Sequence, residues 1–252
     1  MDANMEEIIR RVSNEVLTRL FSALPADKFE DTGKLFVENL ACALREERDR
    51  KSRLDLVETG KHLDKLGFFP GTSGNISIRN PDDTMLITPS GVSKGQLKPE
   101  DLIIMDFSGN VLCGEGRPSS EAKMHFFIYK ARPDVNAIVH CHPPFTTGFA
   151  AAGISLDMPV LPEAILILGP VPVVPYATPG TWEVPESLRP YIDGGNSFLL
   201  ANHGALTLGK SLEEAGHRME TLELFAKVIV IARLLGGEQL LSEEQLKKLG
   251  NV

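Results

Sequence analysis

The segment that most constrains the fold is a short apolar run that ends in two histidines. Ala137 to His140 predict a buried strand, and Pro143 and Pro144 stop it, because proline cannot donate a hydrogen bond to a neighbouring strand. On an extended chain the side chains of His140 and His142 point to the same side. Two imidazoles at this spacing can share a metal ion. Zinc usually takes at least three protein ligands, so further ligands are expected elsewhere in the chain.

Two other residues are candidates for the missing ligands. His203 follows a predicted strand over 198–201, at a strand end where loops place functional groups on a rigid sheet. Glu121 falls in the first turn of a helix predicted over 119–131, with Ser119 or Ser120 as its cap. Each has a structural alternative, because a histidine can simply hydrogen-bond at a turn and a carboxylate can complement the helix dipole. Beside the two-histidine strand, the metal-ligand interpretation is favoured for His203.

Three short polar segments could together hold a phosphate group: Gly74-Asn75, Ser90-Gly91 and Ser119-Ser120. The first two are tight turns that offer backbone N–H groups and small polar side chains. The third places two hydroxyls at a helix N-terminus, where free N–H groups favour an anion. Each segment alone is explained equally well as an ordinary turn. Their combination predicts a phosphate site built largely without lysine.

The charge balance restricts the partners of the chain. The formal net charge is −8, which argues against nonspecific binding to nucleic acid or to an anionic membrane. No apolar run reaches the roughly 18–20 residues of a membrane span, and the first residues lack the basic and apolar regions of a signal peptide. Three widely spaced cysteines suit a reducing compartment better than a disulfide scaffold. We therefore expect a cytoplasmic protein with neither a nucleic-acid nor a membrane partner.

The hydrophobic periodicity predicts an α/β domain preceded by a helical extension. Helices are predicted, from helical spacing or from terminal signals, over 5–20, 31–47, 52–67, 119–131, 145–152 and 211–235. A capping box predicts a further small helix from residue 242. Short strands are predicted at 76–79, 85–88, 102–106, 111–113, 137–140 and 198–201, and a proline-rich stretch over 159–180 is expected to be extended and looped. Residues 1–50 form the extension in this interpretation, and residues 51–252 form the main domain.

The motifs occur in an order that resembles a known family. The segments are Gly71-Thr72-Ser73-Gly74-Asn75-Ile76-Ser77, Thr88-Pro89-Ser90-Gly91, Ser119-Ser120-Glu121, His140-Cys141-His142-Pro143 and Ala201-Asn202-His203-Gly204. Together they are similar to the class II aldolase/adducin head family, whose enzymes include L-fuculose-1-phosphate aldolase, L-ribulose-5-phosphate 4-epimerase and methylthioribulose-1-phosphate dehydratase. The resemblance covers roughly residues 52–235.

The resemblance implies both a fold and a site. The fold would be a three-layer α/β/α sandwich around a mainly antiparallel sheet, in a homotetramer with active sites at subunit interfaces. The zinc ligands would be His140, His142 and His203, although other divalent metals suit such a site. Glu121 would be the acid/base residue and a resting-state ligand. The phosphate of a small sugar phosphate would be held by Gly74, Asn75, Ser90, Gly91, Ser119 and Ser120.

The implied reaction is cleavage of a ketose 1-phosphate, of the L-fuculose 1-phosphate type, to dihydroxyacetone phosphate and an aldehyde. Zinc would act as a Lewis acid for the enediolate, and Glu121 would exchange protons with the dihydroxyacetone phosphate carbon. One departure from the family pattern is a loop matching 161–163, where the fuculose-phosphate aldolases place a catalytic tyrosine and this chain has Glu163. No tyrosine follows Tyr191 either. Glu163 is therefore a possible second acid/base residue or an ordinary loop carboxylate.

Other interpretations remain open, the first of them because of the missing tyrosines. A dehydratase or a 4-epimerase could use the same site. A non-enzymatic, adducin-like assembly domain is a rival of another class, but it would have no need for metal ligands. A zinc hydrolase would leave the phosphate turns unexplained. Among the remaining residues, Cys141 is predicted to be core, His125 to have a small chance of approaching the site, and His62 and His217 to be structural or solvated.

Overall fold

Two consecutive helices lead into the main domain. The computed structural model describes residues 26–250, and within them α1 spans Ala26–Arg48 and α2 spans Arg50–Lys65. These helices correspond to the predictions over 31–47 and 52–67, whereas the helix predicted over 5–20 lies outside the described residues. After α2 the chain turns at Gly67, whose φ of 80° favours glycine. The domain boundary placed at residue 50 stays a prediction.

A single eight-stranded sheet forms the middle layer. Its strands are β1 (Asn75–Arg79), β2 (Thr84–Ile87), β3 (Ile103–Asp106), β4 (Val111–Cys113), β5 (Ala137–Cys141), β6 (Val173–Val174), β7 (Ser197–Leu200) and β8 (Gly204–Gly209). The strand order is β4-β3-β2-β1-β5-β8-β7-β6. Every neighbouring pair is antiparallel except β6 with β7. The predicted mainly antiparallel sheet is therefore confirmed.

Helices cover both faces of this sheet. The remaining helices are α3 (Ala122–Ala131), α4 (Pro144–Ala152), α5 (Pro162–Leu168), α6 (Glu183–Leu188), α7 (Leu212–Leu234) and α8 (Glu243–Leu249). Apolar side chains of α2, α4, α5 and α7 pack on one face of the sheet, and those of α3 and α6 pack on the other. The α/β/α sandwich is confirmed by this division into two cores.

Strand β5 contributes to both cores because successive side chains of a strand point to opposite faces. Val139 and Cys141 belong to the core under α7, whereas Ile138 belongs to the core under α3. His140 is therefore directed to the face covered by α3. In the antiparallel pairing of β1 with β5, Asn75 lies opposite His140, so Asn75 and Ser77 also face α3.

Several local predictions were wrong in instructive ways. The proline-rich stretch over 159–180 contains α5, because Pro162 sits in the first helical turn, where its missing N–H costs nothing. Helix α3 begins after the predicted residue 119, and its N-cap is Glu121, with neither Ser119 nor Ser120 capping it. Strand β8 and helix α6 were not predicted. The capping box at Ser242 and Gln245 is confirmed.

The cysteines were expected to suit a reducing compartment rather than a disulfide scaffold, but two of the three are paired. Cys42 on α1 and Cys113 on β4 form a disulfide, with their Cα atoms 5.3 Å apart. Their sequence separation of 71 residues hid this pairing, because only the docking of α1 against the edge of the sheet brings them together. Cys141 is free and buried in the core, as predicted.

None of the helices in residues 26–250 combines the length and the apolar character that a membrane crossing requires.

Candidate active site

Three histidine side chains converge at one end of the central strands. His140 is the next-to-last residue of β5, His142 follows the strand, and His203 lies in the turn between β7 and β8. One ring nitrogen of each lies within 4.8 Å of the other two. The Nε2 atoms of His140 and His142 are 3.2 Å apart. Among the described residues, the structure thus brings the three predicted metal ligands together, and their role as ligands stays a proposal.

The turn that carries His203 depends on two unusual backbone positions. Asn202 adopts a left-handed conformation with φ of 57°, which asparagine tolerates better than most residues. Gly204 lies against the end of the neighbouring strand β5, where an added Cβ would lie 2.5 Å from the Cys141 carbonyl oxygen. Because no real Cβ makes so close a contact, glycine is required there. Together these residues let His203 fold back beside His142.

The tautomer of His140 follows from its backbone contact. Its Nδ1 atom lies 2.8 Å from the carbonyl oxygen of Ala205 on β8. Because a carbonyl oxygen can only accept, Nδ1 must carry a proton. The neutral ring then has its lone pair on Nε2, which faces His142 and Glu121. This arrangement is typical of metal-binding histidines, whose second nitrogen is commonly fixed by a hydrogen bond.

The carboxylate of Glu121 faces the histidine cluster. One oxygen, Oε2, is 3.1 Å from Nε2 of His140 and accepts a 2.8 Å hydrogen bond from Nδ2 of Asn75. The other oxygen, Oε1, is 3.5 Å from Nε2 of His203. Although Oε1 is buried, no hydrogen-bond partner for it exists within the described chain. An unpaired buried carboxylate oxygen beside three imidazoles is well placed for a cation.

The protonation states of Glu121, His142 and His203 favour cation binding. Burial raises the pKa of Glu121, but the facing imidazoles and the Asn75 amide outweigh it and hold that pKa well below its usual range. Burial and the nearby His140 lower the pKa of His142 to about 3 and that of His203 to about 4. For His140, burial also lowers the pKa, but the facing Glu121 carboxylate outweighs this effect and raises it, so a metal ion at this site competes with a proton on Nε2. Neutral imidazoles and an ionised carboxylate are the forms that bind metals.

The donor set fits a divalent metal ion. Three imidazole nitrogens and one carboxylate are the ligands that zinc takes in many proteins, and other first-row divalent ions accept them too. His140, His142, His203 and Glu121 could hold such an ion, and Oε1 of Glu121 would gain the partner that it lacks among the described residues.

The three predicted phosphate segments lie next to one another. The Gly74-Asn75 segment leads into β1, whose first residue is Asn75, and the Asn75 amide donates to Glu121 at the start of α3. The N–H of Ser90 donates to the carbonyl of Arg117 at 2.9 Å, and Pro89 pairs with Pro118, so Ser90-Gly91 lies beside the chain that enters α3. Ser119 is buried and accepts a hydrogen bond from the N–H of Glu121, while Ser120 is exposed. Phosphate binding by these segments stays a proposal.

A buried lysine that the sequence did not single out links two of these turns. The Nζ atom of Lys94 donates to the carbonyl oxygens of Thr72, at 2.7 Å, and Val92, at 3.3 Å. Its side chain is only 1% exposed and lies 5.6 Å from the ring centre of Phe69. Burial lowers the pKa of Lys94 to about 8, although the carboxylates of Asp64 and Glu121 oppose this effect. Lys94 is therefore a positive charge that ties the Thr72 turn to the Val92 segment.

The other candidate residues are not brought to the cluster. Glu163 is exposed in the first turn of α5, and no hydrogen bond or ion pair joins it to another described residue. Its role as a second acid/base residue stays a prediction. His62 contacts Glu220 on α7 at 3.1 Å, and His217 is exposed on the same helix.

The structure also shows a cluster of buried polar side chains next to Glu121, most of which the sequence did not single out. His125 and Tyr129 follow Glu121 at intervals of four residues, and Ser77 follows Asn75 at an interval of two. These spacings place each set on one face of its helix or strand. The signal was present in the sequence, but nothing local showed that α3 packs against β1.

Comparison with known proteins identifies the family. The sequence-family model of the class II aldolase and adducin N-terminal domain matches residues 54–230. The chain is 34% identical over 202 residues to a 5-deoxy-D-ribulose 1-phosphate aldolase of Bacillus thuringiensis, covering 79% of this chain and 94% of the relative. It is 35% identical over 203 residues to a 3-oxo-tetronate 4-phosphate decarboxylase of Haemophilus influenzae, covering 78% and 94%.

A solved structure agrees with these sequence relatives. The L-fuculose-1-phosphate aldolase of Thermus thermophilus superposes with a TM-score of 0.66 at 32% identity, covering 75% of this chain and all of that one. The chain therefore belongs to the class II aldolase and adducin N-terminal domain family. Relatives named as aldolases and decarboxylases support a lyase rather than an assembly domain.

Proposed function

We propose that this protein is a metal-dependent aldolase that cleaves a ketose 1-phosphate to dihydroxyacetone phosphate and an aldehyde. The observation that carries the proposal is the position of the Glu121 carboxylate, which faces three clustered imidazoles and lies beside the phosphate turns. Relatives named for 5-deoxy-D-ribulose 1-phosphate and L-fuculose phosphate support this class of substrate.

The proposed metal site consists of His140, His142 and His203, with Glu121 as a fourth ligand before substrate binds. We propose zinc as the ion, because imidazole and carboxylate ligands in this number suit it well. When bound, the ion would supply Lewis-acid stabilisation of the negative charge that develops on the substrate's carbonyl oxygen. The residues themselves contribute neutral nitrogens held in position by the sheet.

Glu121 is the proposed acid/base residue. Cleavage removes the proton of the C4 hydroxyl and breaks the C3–C4 bond, so an aldehyde leaves and an electron pair remains on C3. A proton must then reach C3 to give dihydroxyacetone phosphate. Glu121, which is ionised before substrate binds, would take up the proton released from the C4 hydroxyl, directly or through water, and deliver it to C3. In synthesis it would remove the C3 proton and return it to the aldehyde oxygen by the same route. Its position supports this role, because the carboxylate is buried, aimed at the cluster and anchored on one oxygen only by Asn75.

The phosphate turns would supply binding energy at a distance from the reacting carbons. In this proposal the backbone N–H groups of Gly74 and Gly91 and the polar side chains of Asn75, Ser90, Ser119 and Ser120 hold the substrate phosphate. The N-terminus of α3 adds a favourable dipole. Lys94 contributes a buried positive charge beneath two of the turns.

One observation favours a second candidate function, a sugar-acid phosphate decarboxylase. A relative with that activity in its name is about as similar as the aldolase relative. The chemistry is related, because loss of carbon dioxide from a 3-oxo acid and loss of an aldehyde from a ketose both leave an electron pair beside a carbonyl group. The same cluster could therefore serve either reaction. A dehydratase or 4-epimerase activity remains an alternative of the same kind.

A substrate panel tests these candidates. The metal-loaded protein would be incubated with L-fuculose 1-phosphate, 5-deoxy-D-ribulose 1-phosphate, pentulose 5-phosphates and 3-oxo-tetronate 4-phosphate. Release of dihydroxyacetone phosphate is followed by coupled NADH oxidation, and release of carbon dioxide is followed separately. The aldolase proposal predicts that a ketose 1-phosphate releases dihydroxyacetone phosphate without carbon dioxide, and that a chelator abolishes this release and added zinc restores it. Loss of carbon dioxide from 3-oxo-tetronate 4-phosphate also yields dihydroxyacetone phosphate, so release of both products from that substrate, with none from the ketose 1-phosphates, would replace the aldolase with the decarboxylase.

The proposal includes a homotetramer with active sites at subunit interfaces, and a cytoplasmic location. Exposed aromatic side chains close to the proposed site support an interface there. Lys123 donates to the carbonyl of Gly180, next to Ser120, and lies 6.0 Å from the ring centre of the exposed Trp182. Light scattering of the purified protein would test the oligomeric state, and a monomer would contradict it.

A further inference from the structure

We propose that His125 is a positioning residue that orients the Asn75 amide and, through it, the carboxylate of Glu121. This inference rests on the proposed role of Glu121 as the acid/base residue. His125 does not touch the histidine cluster itself, and it would act only through Asn75. A chain of hydrogen bonds, whose direction can be deduced, joins His125 to Glu121 through Asn75.

The chain of hydrogen bonds runs from α3 to β1 and back to Glu121. Tyr129 OH lies 2.7 Å from Ser77 Oγ, which lies 2.6 Å from Nδ1 of His125. Nε2 of His125 lies 2.5 Å from Oδ1 of Asn75, and Nδ2 of Asn75 donates to Glu121 at 2.8 Å. The five side chains thus form one continuous sequence of contacts that ends at the proposed base.

This network is sealed from solvent. Ser77 and His125 are fully buried, and Tyr129 and Asn75 are 1% and 2% exposed. Buried polar atoms that lack a hydrogen-bond partner are costly, by about 1–3 kcal/mol each. Each donor in the network must therefore meet an acceptor within it. An arrangement that reverses one member would leave two like groups facing each other.

The direction of every bond follows from the carboxylate at one end. An ionised Glu121 can only accept, so the Asn75 atom that faces it must be the NH₂ group. The Asn75 carbonyl oxygen then faces His125, whose Nε2 must carry a proton. A neutral imidazole leaves Nδ1 as an acceptor, so Ser77 donates to Nδ1 and Tyr129 donates to Ser77.

Burial supports the neutral ring that this deduction requires. Burial and the nearby His140 lower the pKa of His125 to about 3, so the second ring proton is absent at neutral pH. Burial also raises the pKa of Tyr129 well above its usual range, which keeps its hydroxyl a donor. The two neutral groups and the Ser77 hydroxyl form a fixed frame for the amide.

The functional consequence is control over where the base points. If the Asn75 amide turned over, its carbonyl oxygen would face the Glu121 carboxylate, and the two acceptors would repel each other. Glu121 would then rotate from the position in which it faces His140 and His203. Removing a hydrogen-bonding partner of this kind typically costs about 10- to 100-fold in activity or metal affinity.

The first experiment reads the tautomer directly. Nitrogen-15 NMR of the metal-loaded protein with labelled histidine distinguishes a ring protonated on Nε2 from one protonated on Nδ1, and His125→Gln assigns the signal. The proposal requires a neutral His125 with the proton on Nε2. A proton on Nδ1, or a charged ring, would overturn it. This measurement needs no substrate.

The second experiment separates positioning from stability. We expect His125→Leu to lower kcat by about 10- to 100-fold, with metal content and KM within about 3-fold of the wild type. His125→Gln can still donate to Asn75 and accept from Ser77, so it should recover most of that loss. Tyr129→Phe is the matched control, because it removes an equally buried hydrogen bond but leaves all bonds from Ser77 to Glu121 in place.

The outcomes distinguish this proposal from the proposed function. Wild-type kcat in a folded His125→Leu protein would overturn the positioning role, as would equal kcat losses in Tyr129→Phe and His125→Leu. If the wild-type protein turns over none of the panel substrates, the proposed function fails. The tautomer then decides whether the network has the deduced direction.

Discussion

The Nε2 atom of His140 lies 3.1 Å from Oε2 of Glu121, while the other ring nitrogen, Nδ1, donates to the carbonyl oxygen of Ala205. The carboxylate and Nε2 of His140 therefore converge on the same point. A cation placed there would bind both groups. A substrate that chelates the cation through its own oxygens would compete with Glu121 and free it for proton transfer. This relationship explains how one carboxylate could serve first as a ligand and then as a base.

Replacing His142 tests the metal site. We expect His142→Ala to lose metal and activity together, because only two imidazoles and Glu121 would remain. The activity loss should exceed about 10- to 100-fold, which is the typical cost of removing a residue that only hydrogen-bonds to a metal ligand. The measurements are metal content by elemental analysis and turnover with the best panel substrate.

His217→Ala is the matched control for that experiment. His217 is exposed on α7 and lies outside the cluster, so this variant should keep its metal and its activity. Full metal retention in His142→Ala would show that His142 is not a ligand.

Replacing the carboxylate tests the proposed base. Glu121→Gln keeps the size of the side chain and can still accept a hydrogen bond from Asn75. We expect it to fold and to lose most of its activity, because general acid–base catalysis contributes about 10²–10⁴-fold. The direct measurement is exchange of the dihydroxyacetone phosphate C3 proton with deuterated water.

Glu163→Gln provides both the control and a test of the second carboxylate. Glu163 is exposed and has no polar contact with another described residue. A loss of C3 proton exchange in Glu121→Gln but not in Glu163→Gln would support the assignment. Wild-type exchange in Glu121→Gln would remove Glu121 from the proton-transfer step.

Much of this fold was predictable because its signals are local. The stripe of Leu212, Ala215, Met219, Leu222, Ala226 and Ile229 predicted α7, and all six are buried. The capping box at Ser242 predicted the start of α8. The missed elements depend on contacts distant in the sequence. Strand β8 follows a turn in which Asn202 is left-handed. The sequence around this turn predicted the end of one strand but not the start of the next.

The site divides in the same way. His140 and His142 were predictable from strand alternation, and motif order added His203 and Glu121. The network of Ser77, His125 and Tyr129 was not predictable, because it forms only where α3 packs against β1. The Cys42–Cys113 disulfide was missed for a similar reason, since the docking of α1 determines it. Spacing identifies residues on one face of an element, but it does not identify the opposing element.

Replacing Ser120 tests the phosphate site. The hydroxyl of Ser120 is exposed near the N-terminus of α3 and next to Gly180. A hydrogen bond to a charged group is worth about 1.5–3 kcal/mol, so Ser120→Ala should lower kcat/KM for phosphorylated substrates about 10- to 100-fold. Substrates without phosphate should be affected much less. Ser108→Ala, in the exposed turn between β3 and β4, is the control, and equal losses for both substrate classes would exclude Ser120 from the site.

The buried lysine gives a pH-dependent prediction for stability. Burial lowers the pKa of Lys94 from 10.5 to about 8 in the folded protein. Below pH 8 both folded and unfolded states hold the proton, and the folded state bears the full cost of the buried charge. Between pH 8 and 10.5 the unfolded state holds more protons, so the stability contributed at Lys94 rises with pH. The total rise is at most about 3 kcal/mol.

Comparing the wild type with Lys94→Met isolates this contribution from the other titrating groups. The free energy of unfolding in urea would be measured for both proteins from pH 7 to pH 10.5. We expect the wild type to gain stability relative to Lys94→Met across that interval, because methionine has no proton to lose. Lys51→Met, at an exposed position on α2, should run parallel to the wild type. If the curve of Lys94→Met also ran parallel to that of the wild type, Lys94 would have an ordinary pKa. The ammonium that links the Thr72 and Val92 carbonyls would then be better solvated than its burial indicates.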